Sequence, residues 1–185
     1  GTHAGGLALY RPELDHFLRL PYLQKDGKGI GNKRITALSE SPTGEIWVGT
    51  EGNGLTVLSP ETWEYRYYEA RSDTLSPHEP ASNAIGALAW GPNGKLWIGT
   101  YQGLSQFDPQ QGRFYHFQHH PDDPHSLSND FIYDLTLAKD GSLWIGTHEG
   151  LNHFDPQTQR FERFLPDPQS PGSMNNPTVR AVLLD

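Results

Sequence analysis

The sequence predicts an all-β fold: part of a β-propeller built from four-stranded antiparallel blades. Trp47, Trp97 and Trp144 recur at spacings of 50 and 47 residues inside EIWVGT, KLWIGT and SLWIGT. After each Gly-Thr pair comes a short loop and a Gly-Leu strand ending in proline: GLTVLSP, GLSQFDP and GLNHFDP, with GLALYRP near the start repeating it. Self-similarity at a period of about 50 residues marks supersecondary units that bury their apolar faces only by stacking on one another.

Each unit resolves into four strands. The first carries Ile35, Ile85 or Ile132 and, three residues on, Leu38, Leu88 or Leu135. A tight turn follows at Thr43-Gly44, Asn93-Gly94 and Asp140-Gly141, dipeptides suited to the positive φ angles of hairpins. The second strand is apolar on both sides, Trp47 facing one way and Ile46 and Val48 the other, as expected of a sheet sandwiched between neighbouring sheets. The third is the Gly-Leu strand. The fourth carries Tyr65 and Tyr68, Phe114 and Phe117, or Phe161 and Phe164, with Phe17 and Leu20 in the partial copy. ELDHFLRL, residues 13–20, has helix-like spacing when read locally, but its alignment with WEYRYYEA, GRFYHF and QRFERF makes it a strand.

The blade motif therefore comprises Trp47, Trp97 and Trp144 with Gly49, Gly99 and Gly146, the tryptophans acting as blade-to-blade packing residues. Trp63 and Trp90 lie outside the shared pattern, which leaves a surface role open for them. The copies divide the chain into 1–31 (the end of one blade plus a linker), blades at 32–82, 83–128 and 129–176, and 177–185 as the first strand of the next. The two partial copies lack the central Gly-x-Leu-Trp-Ile stretch, so closure of a four-bladed ring is not expected. The expectation is a fragment of a larger propeller, with self-association through its exposed blade faces as the alternative to a longer parent chain.

Composition narrows the partners. The chain has 14 basic and 22 acidic residues, a net charge of -8, which argues against nucleic acid or an anionic membrane surface. It has no cysteine, so disulfides and thiolate metal sites are excluded. No apolar run reaches the length of a membrane helix, so no direct membrane contact by this segment is expected, and GTHAGG at the start is not a signal peptide. No cofactor and no metal are expected. His119, His120 and His125 flank Asp122 and Asp123, but their spacing matches no ordered zinc pattern, and the stretch reads as a solvated loop. Ser126 beside His125 fixes no nucleophile–base geometry, so no catalytic residue is assigned.

The stretch from Asp140 to Pro156, D-G-x-L-W-I-G-T-x-x-G-L-x-x-F-D-P, resembles the two-component regulator propeller repeat, and the linker HPDDPHSLSND is similar to the linkers between such repeats. The resemblance covers essentially the whole chain. It implies a propeller, commonly seven-bladed, in the extracytoplasmic sensor portion of a membrane-anchored bacterial protein with a histidine kinase, hybrid regulator or diguanylate cyclase behind it. A periplasmic location and a small-molecule signal, such as an oligosaccharide, follow from the same resemblance. Ser59 departs from the pattern where the other copies have Asp108 and Asp155.

In an up-and-down blade, the loop between second and third strands shares a face with the crossing to the next blade. Glu51, Asn53, Tyr101, Gln102, His148 and Glu149 stand in these loops and form the candidate ligand-binding set. An aromatic ring beside amides and carboxylates suits a sugar; a hydrated loop rim is the other reading. Asn32, Asn129 and Asn176 recur six residues before the aligned leucine or valine, with Asn83 slipped by one, which favours turn capping. Two further functions stay open: a scaffold for protein partners, and a metal-dependent propeller lyase similar to the streptogramin-inactivating type, motivated by His148 and Glu149.

Overall fold

Each recurrent unit forms one small sheet. The computed structural model describes residues 1, 5–22, 28–72, 74–170 and 172–184. A hairpin of β1 (Ala8–Arg11) and β2 (His16–Arg19), joined through a 3₁₀ turn at Pro12–Leu14, precedes three four-stranded antiparallel sheets. The first sheet runs β3 (Ile35–Glu40), β4 (Ile46–Thr50), β5 (Leu55–Ser59), β6 (Glu64–Tyr68). The second runs β7 (Ile85–Trp90), β8 (Leu96–Thr100), β9 (Gly103–Asp108), β10 (Arg113–Phe117). The third runs β11 (Ile132–Leu137), β12 (Leu143–Thr147), β13 (Gly150–Asp155), β14 (Arg160–Phe164). The strands β3, β7 and β11 lie next to one another, so they are the inner strands of an arc of propeller blades. The helix-like spacing at 13–20 yields to strand pairing, with Tyr10 opposite Phe17 and Leu9 opposite Leu18.

The core lies between the sheets rather than within any one of them. Trp47, Leu55 and Val57 of the first sheet pack with Ile85, Leu96, Ile98 and Phe107 of the second. Trp97 and Leu104 of the second pack with Ile132, Leu135, Ile145 and Phe154 of the third. Val48 turns the other way, toward Leu7, Leu20 and Ile30. The repeated glycine marks where one blade meets the next inner strand. A Cβ on Gly49 would stand 2.7 Å from Ile85 Cγ2, one on Gly99 would stand 2.6 Å from Ile132 Cγ2, and one on Gly146 would stand 2.6 Å from the Val179 carbonyl. Gly1 meets Ile35 in the same way, at 2.8 Å. The following threonine closes the loop between second and third strands. Thr50, Thr100 and Thr147 each donate Oγ1–H to the carbonyl of Gly54, Gly103 and Gly150, and each accepts a loop N–H.

Two registered positions fasten each crossing. On the third strand, Thr56, Ser105 and Asn152 accept the N–H groups of Gly31, Ala81 and Ser128. Their partners on the fourth strand, Tyr67, His116 and Arg163, reach the carbonyls of Gly29, Ser76 and Ser126. Arg163 also bonds Asp123, Leu127 and the Ser126 hydroxyl, so part of the histidine-rich linker is pinned where a solvated loop was expected. Ser126 is buried, and its hydroxyl donates to the carbonyls of His120 and Asp123. The asparagines cap turns as expected: Asn32, Asn129 and Asn176 each accept the N–H two residues on, at 2.9–3.0 Å. In the second blade Ser82 takes that place, and Asn83 instead bridges both backbone groups of Ala70.

Three expectations need correction. Trp47 and Trp97 are buried, but Trp144 is only half-buried, because no further sheet among the described residues covers its outer face; it rests on His153 and Phe164. Residues 177–184 carry no assigned strand, since no second strand is there to ladder with them. They nonetheless occupy the place of an inner strand, bonded to Thr147, Asp134 and Thr136 through Val179 and Val182. In the tight hairpins only the glycines adopt positive φ, at 83°, 71° and 88° for Gly44, Gly94 and Gly141.

Trp63 shows a local strain. The third-to-fourth-strand hairpins place Asp15, Trp63, Gly112 and Gln159 at equivalent left-handed positions, with φ of 48°, 57°, 62° and 57°. A bulky aromatic is disfavoured there. Ser59 also lacks the carboxylate that accepts Gln110 N–H at Asp108 and Gln157 N–H at Asp155. Trp63→Gly is expected to raise the unfolding free energy by about 0.5–1 kcal/mol, the relief of strain outweighing the entropy a glycine adds to the unfolded chain. Chemical denaturation reads this directly, and a loss of stability would mean that the indole makes a contact worth more than the strain.

Candidate functional site

Each second-to-third-strand loop is hydrogen-bonded to the crossing beside it, which puts the two on one face. Gly54, Gly103 and Gly150 donate N–H to the carbonyls of Asn83, Asp130 and Pro177. The first residue of each loop, Glu51, Tyr101 or His148, donates its N–H to the carbonyl just before the inner strand of its own blade, at Arg34, Ala84 and Phe131. These pairs form an arc of side chains at the end of the inner strands. A β-bulge one residue into β3, β7 and β11 falls at Thr36, Gly86 and Tyr133.

Along this arc the second and third blades together contribute an aromatic row. Tyr101 stacks on Phe131 with ring centroids 3.7 Å apart and planes at 24°. Phe131 contacts Tyr133 at 4.8 Å and the His148 imidazole at 6.3 Å. The Arg180 guanidinium lies over the Tyr133 ring at 5.1 Å, a cation–π contact. On the first blade Arg34 pairs with Glu51 at 2.8 Å. Burial raises the Tyr101 phenol above its ordinary range, Glu51 and Tyr133 add to the rise and Arg180 opposes it, so the hydroxyl stays protonated at neutral pH.

The six sequence-predicted residues separate into three pairs. Tyr101 and His148 meet through Phe131 and Tyr133. Asn53 is committed to structure, its amide oxygen accepting from Asn32 at 2.8 Å, and Glu51 is held by Arg34. Gln102 and Glu149 are exposed and bond to threonine through their backbone N–H groups. Phe131, Tyr133 and Arg180 escaped the sequence reading; the signal for them lay in the residues flanking Ile132 and Val179. Among the described residues, no cluster of histidine and carboxylate groups is arranged to hold a metal ion. No helix among them is long and apolar enough to cross a membrane.

Three segments, 29–52, 79–102 and 126–149, match the family described as two component regulator propeller, each covering a crossing end, the first two strands and the start of the next loop. No curated protein matches the chain. Among solved structures the chain is similar to one described as the extracellular domain of a hybrid two component system, BT4673 from B. thetaiotaomicron, at 20% identity and a TM-score of 0.73. That match covers 96% of this chain and 22% of that one. A second such extracellular domain, BT3049 from the same organism, matches at 21% identity and a TM-score of 0.52, over 100% of this chain and 28% of that one. Virginiamycin B lyase from Staphylococcus aureus matches at 17% identity and a TM-score of 0.55, over 79% and 48%. The chain thus spans 22–28% of the length of the two extracellular domains, and the likeness at these identities establishes the propeller fold.

Proposed function

Because the chain belongs to the two component regulator propeller family, we propose that it is part of a non-catalytic sensor propeller of a bacterial signal-transduction protein, outside the cytoplasm, binding an oligosaccharide on its loop face. The aromatic row Tyr101–Phe131–Tyr133 carries this reading. The half-buried rings leave part of their apolar surface open at the end of the inner strands, and the exposed His148, Arg180 and Glu149 beside them supply the polar partners that a sugar ring needs. The extracytoplasmic location rests on the similarity to the two extracellular domains.

His148 touches Tyr133 and accepts a hydrogen bond from Thr178 at its carbonyl, surroundings of a binding surface rather than of a general base. A glycan array followed by calorimetry tests the proposal. Tyr101→Ala and Phe131→Ala are expected to weaken glycan binding tenfold or more, about 1.4 kcal/mol, with the folded state retained. Unchanged affinity in both variants, or binding of protein partners and of no glycan, would overturn it.

A further inference from the structure

Both internal blade junctions are closed by the same four aromatic positions, and each end of the arc carries half of that set. At the first junction Trp47 and Tyr68, on the face turned toward the following sheet, meet Phe107 and Phe114. Trp47 lies 5.4 Å from Phe107, and Tyr68 lies 5.7 Å from Phe114. At the second, Trp97 lies 5.4 Å from Phe154, and Phe117 lies 6.2 Å from Phe161. The repeat puts Trp144 and Phe164 in the leading places on the third sheet, and Tyr10 and Phe17 in the trailing places on the β1–β2 hairpin. Each half is already assembled. Trp144 stacks on Phe164 at 5.5 Å and 29°, as Trp47 does on Tyr68, and Tyr10 lies 5.1 Å from Phe17, close to the 4.7 Å between Phe107 and Phe114.

Among the described residues neither half is met by a ring of another sheet. The internal trailing rings, Phe107, Phe114, Phe154 and Phe161, are at most 3% exposed, whereas Tyr10 is 45% and Phe17 is 66% exposed. On the leading side Phe164 is 37% exposed. Leu184, which corresponds to Trp90 and Leu137, lines with Trp144 an open cavity of about 430 Å³. The inner strand of a following blade is therefore in place there, and its outer hairpin is not. We propose that a second copy of this chain docks head to tail at this end, its Tyr10–Phe17 hairpin seated on the Trp144–Phe164 face of the first. The fit selects the occupant: the two open faces are the two halves of a junction that this chain already makes twice. Two different patches meet, so the contact is heterologous, and pairing of like faces would bring together two copies of the same half. Covering exposed aromatic surface drives the association, independently of anything bound on the loop face.

Sedimentation velocity over a concentration series is expected to give a mass above that of one chain, rising with concentration. Phe17→Asp and Phe164→Asp should each sediment as a monomer, because each loses one of the two faces. An equimolar mixture of these variants should restore a dimer and nothing larger, since the intact leading face of Phe17→Asp meets the intact trailing face of Phe164→Asp. Tyr101→Ala on the loop face should associate as the parent chain does, so this proposal and the glycan reading can fail separately. A monomer at every concentration would overturn the proposal and assign both faces to blades outside this chain. Dimers that persist in either variant alone would overturn it by showing that like faces pair, and a mixture that stays monomeric would overturn it too. Circular dichroism checks that the variants fold; should Phe164→Asp not fold, the parent series compared with Phe17→Asp still decides.

Discussion

Gly99→Ala is expected to lower the unfolding free energy by about 1–3 kcal/mol, a cost typical of overpacking in a close-packed interior. The added Cβ would stand 2.6 Å from Ile132 Cγ2 and 3.2 Å from Leu135 Cδ2, both on the inner strand of the next blade. Ile132 is fully buried and the contact joins two sheets, so relief requires the blades to separate rather than one side chain to turn. Gly44→Ala makes a useful contrast, because nothing lies within 4 Å of a Cβ there and only the φ of 83° opposes it. Urea denaturation of the two variants measures the difference, and a Gly99→Ala protein as stable as the parent would mean that the junction is loose.

Trp97→Ala is expected to cost more, about 3–5 kcal/mol, the range for removing a large buried aromatic. The indole is 3% exposed, meets Phe154 edge-on at 5.4 Å and contacts Phe117 at 6.0 Å. Removing it empties the space between the second and third sheets, and the flanking strands cannot close the gap without breaking their ladders. The loss should appear in the transition midpoint, because the second and third sheets share the core that Trp97 fills.

The fold could be read from the sequence because its determinants are local and periodic. The Trp-x-Gly-Thr strand, the Gly-Leu strand after it and the turn glycines recur in one register, so alignment of copies corrected the helix-like spacing of Leu14, Phe17 and Leu18. The asparagine turns were legible for the same reason, since Asn32, Asn129 and Asn176 act two residues away along the chain. The candidate site was legible only in part. Tyr101 and His148 were found from the loop position, but Phe131 and Tyr133, which join them, flank Ile132, and a β-bulge decides where Tyr133 sits. Bulges leave no periodic trace. Trp90 was missed as a packing residue because its partner Trp47 is on another blade, 43 residues earlier in the sequence. The half-exposure of Trp144 depends on which neighbouring blade is present, which residue type cannot tell.

The buried core lies at the junctions between sheets, and the stability of the arc resides there and not in the separate sheets. The most direct measurement is the difference in unfolding free energy between Trp97→Ala and Trp144→Ala in the same chain. Both residues hold the same place in their blades, but only Trp97 is covered by a following sheet. The expected result is a loss for Trp144→Ala of about 1–2 kcal/mol, well below the full-burial value for Trp97→Ala. Equal losses from the two substitutions would contradict the assignment, because they would place the contribution of tryptophan within its own sheet.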